Sequence, residues 1–431
     1  MRDPDGTHFI EDNYFIRQLY VNLPDDHFLR SACAKDLVDH GYLIPFEIQG
    51  LKIIHPLIDF VTYPHEWCDA QLIEAANLTL NISKKIFEYG YELKDASAWN
   101  VIFDNGKPVF CDHLSFQKIH KSQWWAMGQF IRHFITPLSI SKFKNINVAD
   151  LFLVYRDGVD LSLTKNLIGP RWILSRAFML FIKIPDFNKK KYGKAINSKK
   201  YHVGVYEYLS WLLNGLTPLK KDISNEWVNY TNDRLHYNDN ASKKRDMVSS
   251  WIKELHPQWV IDLGCNTGEF TLLAHKLGAK VISIDSDEAS IRKLYYYING
   301  STIHPILAKI DDLYSGRGWC GTEFSGLLSR LTKKVDTLLM LGLIHHIAIT
   351  SSIPLYEIAK FASLLTNKYL IIELIDHRDS MLCELSLRHD RDPNYFTIEN
   401  QLNAFENFFV VLNKCEVSNT RQLALCRLKY A

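Results

Sequence analysis

The pattern of apolar positions changes character at Met247. From there, amphipathic stretches alternate with short, continuous apolar runs. Helices are expected over 247–255, 270–277, 289–298 and 353–365, and strands over 259–263, 281–285, 306–310, 335–341 and 369–374. The runs 408–412 and 423–428 form a candidate closing antiparallel pair. Strand–helix alternation of this kind predicts an α/β fold with a doubly wound, Rossmann-like parallel sheet.

The chain before Met247 reads differently. Residues 14–21 and 51–61 have strand character, and Pro56 places the second on an edge or interrupts it. Over 70–89, Leu72, Ala75, Ala76, Leu80 and Ile86 follow a helical spacing. Two apolar runs around Asp104-Asn105-Gly106 signal a hairpin. Residues 123–220 are expected to be mostly helical, notably 124–134 and 170–184. A basic loop from Lys189-Lys190-Lys191 to Lys199-Lys200 interrupts them, either as a solvated turn or as an anion site. The polar stretch 220–244 marks a boundary, giving domains 1–220 (hairpin core 90–116, helical part 123–220) and 221–431.

Composition narrows this picture only a little. The 431 residues suit two domains, and 47% hydrophobic with 23% charged residues is ordinary for a globular protein. A net charge of +2 gives no overall pull toward nucleic acid or an anionic surface. Eight scattered cysteines, with no C-x-x-C pair, predict reduced thiols, no zinc site and a cytoplasmic protein. The polar start lacks a signal-peptide core, and no apolar run is long enough to span a bilayer.

The chemistry concentrates in Val260-Ile261-Asp262-Leu263-Gly264-Cys265-Asn266-Thr267-Gly268. A strand ends in an acid, a glycine turn follows, and a helix opens at once. Glycines let backbone approach a ligand closely, and Asp285 at the end of the next strand can accept from ribose hydroxyls. The pattern is D-x-G-x-x-x-G, not the G-x-G-x-x-G of dinucleotide binders. An acid there suits a cationic cofactor with no phosphates, and S-adenosyl-L-methionine fits. The expected cofactor residues are Asp262, Gly264, Asn266, Gly268 and Asp285. Asp312, with neighbouring Asp311, is placed to reach adenine, or alternatively serves as a helix cap or loop carboxylate.

These residues resemble the class I S-adenosylmethionine-dependent methyltransferases. Further stretches resemble a bacterial group of nodulation-protein-related methyltransferases: Trp227-Val228-Asn229-Tyr230, Gly318-Trp319, Leu328-Ser329-Arg330, Leu343-Ile344-His345-His346, and Glu373-Leu374-Ile375 with Asp379. The resemblance covers roughly 225–430. It implies methyl transfer to a small-molecule, saccharide or lipid-linked acceptor, at oxygen. His345 and His346, past the fourth strand, are candidates for a general base or for orienting the acceptor, with a structural role as the alternative. Glu373 is a second candidate base or a salt-bridge partner. Trp319 stacks on substrate or fills a core, and Tyr230 and Tyr237 are lid candidates over the cofactor. Cys265 is expected to pack, not to act as a nucleophile. No Asn-Pro-Pro-Tyr element or Pro-Cys nucleophile appears, which argues against nucleic-acid bases as acceptors.

A second resemblance lies upstream. Asp95, Asn100 and, beyond the hairpin, Asp112 stand where kinase catalytic-loop and metal-binding residues stand. The segment resembles the core of protein-kinase-like and aminoglycoside-phosphotransferase-like folds, implying an α+β domain. There Asp95 would position a hydroxyl while Asn100 and Asp112 bind magnesium. Leu93 and Lys94 replace the usual residues before the acid, and Asp112-His113-Leu114 replaces Asp-Phe-Gly. Residues 1–60 hold no glycine-rich loop, and Lys52 is the candidate phosphate lysine. A degenerate accessory domain is the leading expectation. The alternatives are a bifunctional kinase–methyltransferase using Mg-ATP, a non-catalytic cofactor-binding interaction protein, and a chance likeness.

Overall fold

A computed structural model describes residues 4–119, 124–169, 198–217, 238–298 and 300–429. They pack into two compact units, Asp3–Asp222 and Ile223–Ala431.

The N-terminal unit opens with an antiparallel sheet of β1 (Gly6–Glu11), β2 (Tyr14–Leu19), β3 (Glu47–Gln49) and β4 (Lys52–Pro56), in the order β1-β2-β4-β3. The β1–β2 turn places Asp12 and Asn13 at φ 47° and 65°, the left-handed pair a tight hairpin needs. Pro56 closes β4 opposite Tyr14, and β4 is an interior strand. The proline therefore ends the strand and does not mark an edge, because a residue with no N–H cannot continue the ladder.

Helix Asp69–Glu88 buries Leu72, Ala75, Ala76, Leu80 and Ile86. Thr79 and Ser83 on the buried side donate their hydroxyls to the carbonyls one turn back, at 2.9 and 2.7 Å. Next come β5 (Tyr91–Leu93), β6 (Val101–Asp104), β7 (Lys107–Phe110) and β8 (Phe116–Lys118), with β5 paired to β8. The β6–β7 hairpin turns on Asn105 and Gly106, both at positive φ.

The helix expected over 124–134 is not uniform. An α-turn, Met127–Phe130, leads into a π-helix, Ile131–Ile135. Here the Arg132 carbonyl accepts from Val159 N–H at 2.9 Å and from Thr136 Oγ1 at 3.1 Å. A carbonyl drawn outward widens the turn. Residues 170–184 and most of the basic loop lie outside the described residues. Lys199 and Lys200 fall within helix Ser198–Leu216 and so do not form part of a loop.

Among the described residues the C-terminal unit opens with helix Asn238–Leu255, which takes in the end of the polar stretch expected to be a linker. Its sheet comprises β9 (Trp259–Leu263), β10 (Lys280–Asp285), β11 (Ile303–Leu307), β12 (Val335–Met340), β13 (Thr366–Ile375), β14 (Phe409–Ser418) and β15 (Arg421–Leu428). The order is β11-β10-β9-β12-β13-β15-β14. The first five strands are parallel, and β15 runs antiparallel to both β13 and β14. β11 starts earlier than expected and contains Pro305, which an edge strand tolerates. Val260, Ile261, Val281, Ile282, Leu338, Leu339 and Ile371 are fully buried, as continuous apolar runs in a covered sheet should be.

Gly268 caps helix Glu269–Lys276 at φ 87°, and a Cβ there would stand 2.4 Å from Leu294 Cδ1. Gly278 has a similar φ, 99°, with nothing within 4 Å. Gly278→Ala therefore carries only the left-handed penalty, about 1–2 kcal/mol. Gly268→Ala adds an overlap costing about 1–3 kcal/mol more. Urea denaturation of both variants should rank them in that order; equal losses would show that Leu294 moves aside freely.

Candidate active site

Strand order reverses between β9 and β12, the point at which folds of this kind place their ligand crevice, at the carboxyl ends of the strands. The turn after β9 is shaped by three left-handed residues, Gly264, Asn266 and Gly268, at φ 68°, 48° and 87°. Gly264 and Cys265 N–H both donate to the Ile284 carbonyl, at 2.9 and 3.1 Å. A Cβ on Gly264 would stand 2.9 Å from Leu343 Cδ1. The Leu343 side chain thus occupies the place a side chain on Gly264 would take.

Two acids flank this turn. Asp262 is 3% exposed and accepts from Thr271 Oγ1 at 2.7 Å, and Thr271 in turn meets Ser283 Oγ at 2.9 Å. Burial pushes its pKa up to about 6; the Thr271 bond opposes this, and the charge of Asp285 adds to it. Asp285 ends β10 and is fixed by two backbone donors, Asn266 N–H to Oδ2 at 2.8 Å and Asp287 N–H to Oδ1 at 2.9 Å. Burial raises its pKa despite those bonds. Asp262, Gly264, Asn266, Gly268 and Asp285 are brought together around one turn.

Asp311 and Asp312 lie exposed in a turn after β11, and neither caps a helix. Asp311 accepts from Ser351 Oγ at 2.5 Å. Trp319 is 67% exposed, so it is not a core tryptophan. Tyr230, Tyr237 and the rest of Trp227-Val228-Asn229 lie outside the described residues.

After β12 the chain turns at Gly342, φ 67°, and enters a π-helix, His346–Thr350. His345 is buried and its ring centroid lies 4.1 Å from that of His346. Burial, with the charge of Arg421, holds the His346 pKa below its usual value. A neutral imidazole at pH 7 is able to accept a proton.

Sequence reasoning missed the neighbouring charges. Glu373, 1% exposed near the end of β13, meets Lys244 Nζ at 2.6 Å and Arg421 Nη1 at 3.5 Å. Arg421 also grips Asp379 with Nε at 2.8 Å and Nη2 at 3.3 Å. Asp379 in turn caps helix Ser380–Arg388. Burial alone would raise the Glu373 pKa, but Lys244 and Arg421 outweigh it and hold the carboxyl below its ordinary value. Glu373 is therefore an ionised salt-bridge partner, not a poised base. Lys244 was hidden in a polar stretch; the signal for Arg421 was a single cation heading an apolar strand.

In the N-terminal unit, Asp95, Asn100 and Asp112 also converge. Asn100 Nδ2 donates to the Asp95 carbonyl at 3.4 Å and to Ser115 Oγ at 3.3 Å, and Ser115 donates to Asp112 Oδ2 at 2.5 Å. Burial raises the Asp95 pKa, with the charge of Asp112 adding to it. The cation facing Asp112 is Arg17 from β2, at 3.4 Å; Lys52 instead lies over the Phe9 ring. Among the described residues, no group of three or more His, Cys, Asp or Glu is placed to hold a metal. Among them, too, no helix is long and apolar enough to cross a membrane.

Strand order, glycine turn and acid pair define a doubly wound, Rossmann-like α/β fold. No family model matches the chain. It is 26% identical over 407 residues to nodulation protein NoeA of Rhizobium meliloti (strain 1021), across 88% of this chain and 84% of that protein. It is similar to magnesium protoporphyrin IX methyltransferase (ChlM) from Synechocystis PCC 6803 with bound S-adenosylhomocysteine: TM-score 0.32, 15% identity, 44% of this chain and 84% of that one. It is also similar to the bifunctional kinase–methyltransferase WbdD: TM-score 0.32, 17% identity, 43% of this chain and 39% of that one. These superpositions are partial, and the fold assignment rests on strand order and register.

Arg421→Met leaves Glu373 with Lys244 and Asp379 buried without its cation, a loss of about 3–5 kcal/mol at pH 7. Both carboxyls have lowered pKa values in the fold. The stability they contribute is therefore present above their unfolded values near 4 and is lost as pH falls through the lowered folded ones. The deficit of Arg421→Met should shrink when denaturation is measured at acid pH; a deficit independent of pH would assign the loss to packing.

Proposed function

We propose that the C-terminal unit is an S-adenosylmethionine-dependent methyltransferase, which makes the protein a transferase enzyme. The observation that carries this reading is the pair Asp262 and Asp285 across a glycine turn at the point where strand order reverses. The donor set fits the cofactor: a turn with three left-handed residues and no side chain at Gly264 or Gly268, and carboxylates in place of a phosphate site. When bound, the cofactor supplies a methyl carbon made electrophilic by its sulfonium.

The chain's own residues would do the rest. Asp285, held by two backbone donors, keeps lone pairs for the ribose hydroxyls. Asp262 faces the cationic end, and its anionic form is the one that stabilises it. Gly264, Asn266 and Gly268 let backbone lie against the nucleoside, and Asp312 accepts from the adenine amino group. The acceptor is a small-molecule, saccharide or lipid-linked hydroxyl. His346, neutral and beside His345, takes the proton that the hydroxyl releases. Eight cysteines scattered along the chain with no C-x-x-C pair fit a reducing, cytoplasmic setting.

A second reading concerns the N-terminal unit alone. Arg17, Asn100 and Asp112 converge as a nucleotide-phosphate and magnesium site would require, and Asp95 stands beside them to orient a hydroxyl. Magnesium commonly takes one or two protein carboxylates and draws its other ligands from phosphates and water. In this reading the protein is bifunctional, a kinase as well as a methyltransferase.

Calorimetric titration with S-adenosylhomocysteine should show binding at pH 7.5, weakened about a hundredfold by Asp285→Ala through loss of charge-assisted hydrogen bonds. Because the Asp262 pKa lies at about 6 and the cation selects the carboxylate, affinity should hold above pH 6. It should fall toward about tenfold per unit below pH 6. Wild type that binds nothing would sink the methyltransferase reading. For the second reading, Mg-ATP should raise the melting temperature of wild type and not of Asp112→Ala; no shift in wild type would reduce the N-terminal unit to an accessory domain.

A further inference from the structure

The parallel strands give the C-terminal unit two unlike edges. The carboxyl edge gathers the acids Asp262, Asp285, Glu373 and Asp376. The amino edge, at the far end of the same strands, is basic. Lys280 opens β10, Lys333 and Lys334 precede β12, and Lys368 lies near the start of β13. Arg427 reaches this edge because β15 runs the other way, pairing it with Tyr369. Helices Asn238–Leu255 and Glu269–Lys276 lead into β9 and β10 and bring Lys253 and Lys276 there. The acids beside them include Glu254, Asp336 and Glu406. Asp336 is engaged: it accepts from Gln258 and Trp259 N–H at 2.7 and 3.1 Å and pairs with Lys368 at 3.3 Å. A chain-wide net charge of +2 conceals this separation of charge between the two edges.

Neighbouring strands stand about 4.8 Å apart, so the cations from β10 across to β15 form a row roughly 20 Å long. Lys253, Lys276, Lys333, Lys368 and Arg427 are exposed. The aromatic ring in the middle of the row, Trp259, is already occupied. The Lys334 and Lys280 ammonium groups lie 4.6 and 5.5 Å from its centroid, and His304 stacks on it at 5.8 Å. It offers no open platform on which a nucleobase would stack. On the rim, Tyr297 is 64% exposed at the end of helix Glu288–Tyr297. Leu364 is exposed too, its carbonyl accepting from Lys333 N–H at 2.9 Å. Cations in a row, flanked by a tyrosine and an aliphatic side chain, suit an anionic bilayer surface. There headgroup charge attracts lysines and tyrosine settles at the interface.

We propose that the amino edge of the C-terminal sheet is a peripheral docking surface for anionic phospholipid headgroups. The strands then stand on the lipid by their amino ends, and the glycine turn and its acids face away from it. This goes beyond the methyltransferase reading and does not depend on it.

The test is co-sedimentation of the full chain with vesicles. Wild type should pellet with vesicles containing one-third phosphatidylglycerol and stay in solution with pure phosphatidylcholine. Raising salt from about 0.1 M to about 1 M should release it, because the screening length falls to about 3 Å. Each lysine near such a surface contributes about fivefold to binding, so Lys253→Gln/Lys276→Gln/Lys333→Gln should weaken it about a hundredfold. The same loss of charge elsewhere on the unit, Lys243→Gln/Lys309→Gln/Lys360→Gln, should leave binding within about threefold. Both triple variants change exposed side chains and should keep the wild-type melting temperature. Wild type that stays in solution with the anionic vesicles, or equal weakening by the two triple variants, overturns the proposal. Single-stranded RNA bound more tightly than vesicles at the same salt, and lost with the edge variant, overturns it in favour of a nucleic-acid partner.

Discussion

A parallel sheet that grows in both directions from its first strand has to send neighbouring crossovers to opposite faces. At β9 that reversal parts the two crossovers, the place where such folds open a gap at their strand ends. Most of the chemistry described here depends on this gap. The turn 264–268 follows the end of β9 there, with three left-handed residues and no side chain at Gly264 or Gly268. Left-handed residues and bare backbone are affordable there because the sheet beneath is fixed by fully buried aliphatic side chains. The two acids gain their separate characters from the same arrangement. Asp262 is sunk at the strand end among hydroxyls, and Asp285 is tied by amides at the rim.

The other side of the gap is polar for a different reason. β15 enters antiparallel, so its first residue, Arg421, falls beside the last residues of β13. A cation delivered to that depth requires anions, and Glu373 and Asp379 supply them. Such a cluster adds little net stability compared with well-packed apolar residues, but removing one member strands the others. It also places charge close to His346, which stays neutral under the influence of burial and of Arg421.

Much of this was legible from the order of residues. The glycine turn, the acid at each strand end and the continuous apolar runs follow from local chemistry, and β9, β10, β12 and the β14–β15 pair lie where those runs stand. What could not be read depended on distant partners. β11 was placed late because His304-Pro305 breaks its apolar run, and only an edge position excuses the proline. Pro56 was ambiguous because its place in the sheet depends on β3, which pairs outside β4. The π-helix at 131–135 depends on Val159, far along the chain, and Arg17 and Asp112 are 95 positions apart. Local period carries no trace of such pairs. The sites expected at Tyr230 and in the basic loop lie outside the described residues.

The reach of Arg421 has a consequence for how the molecule is made. It lies 42 positions after Asp379 in the chain. During synthesis there is an interval in which β9 to β13 exist and Arg421 does not. In that interval Glu373 has Lys244 and Asp379 has no cation, and the far edge of the sheet cannot be sealed from water without stranding a carboxylate. The centre of the sheet is free to form early, but its last flank waits for β15. Translation itself thus sets the order of burial, and the final hairpin acts as the clasp that lets the nascent fold dry out.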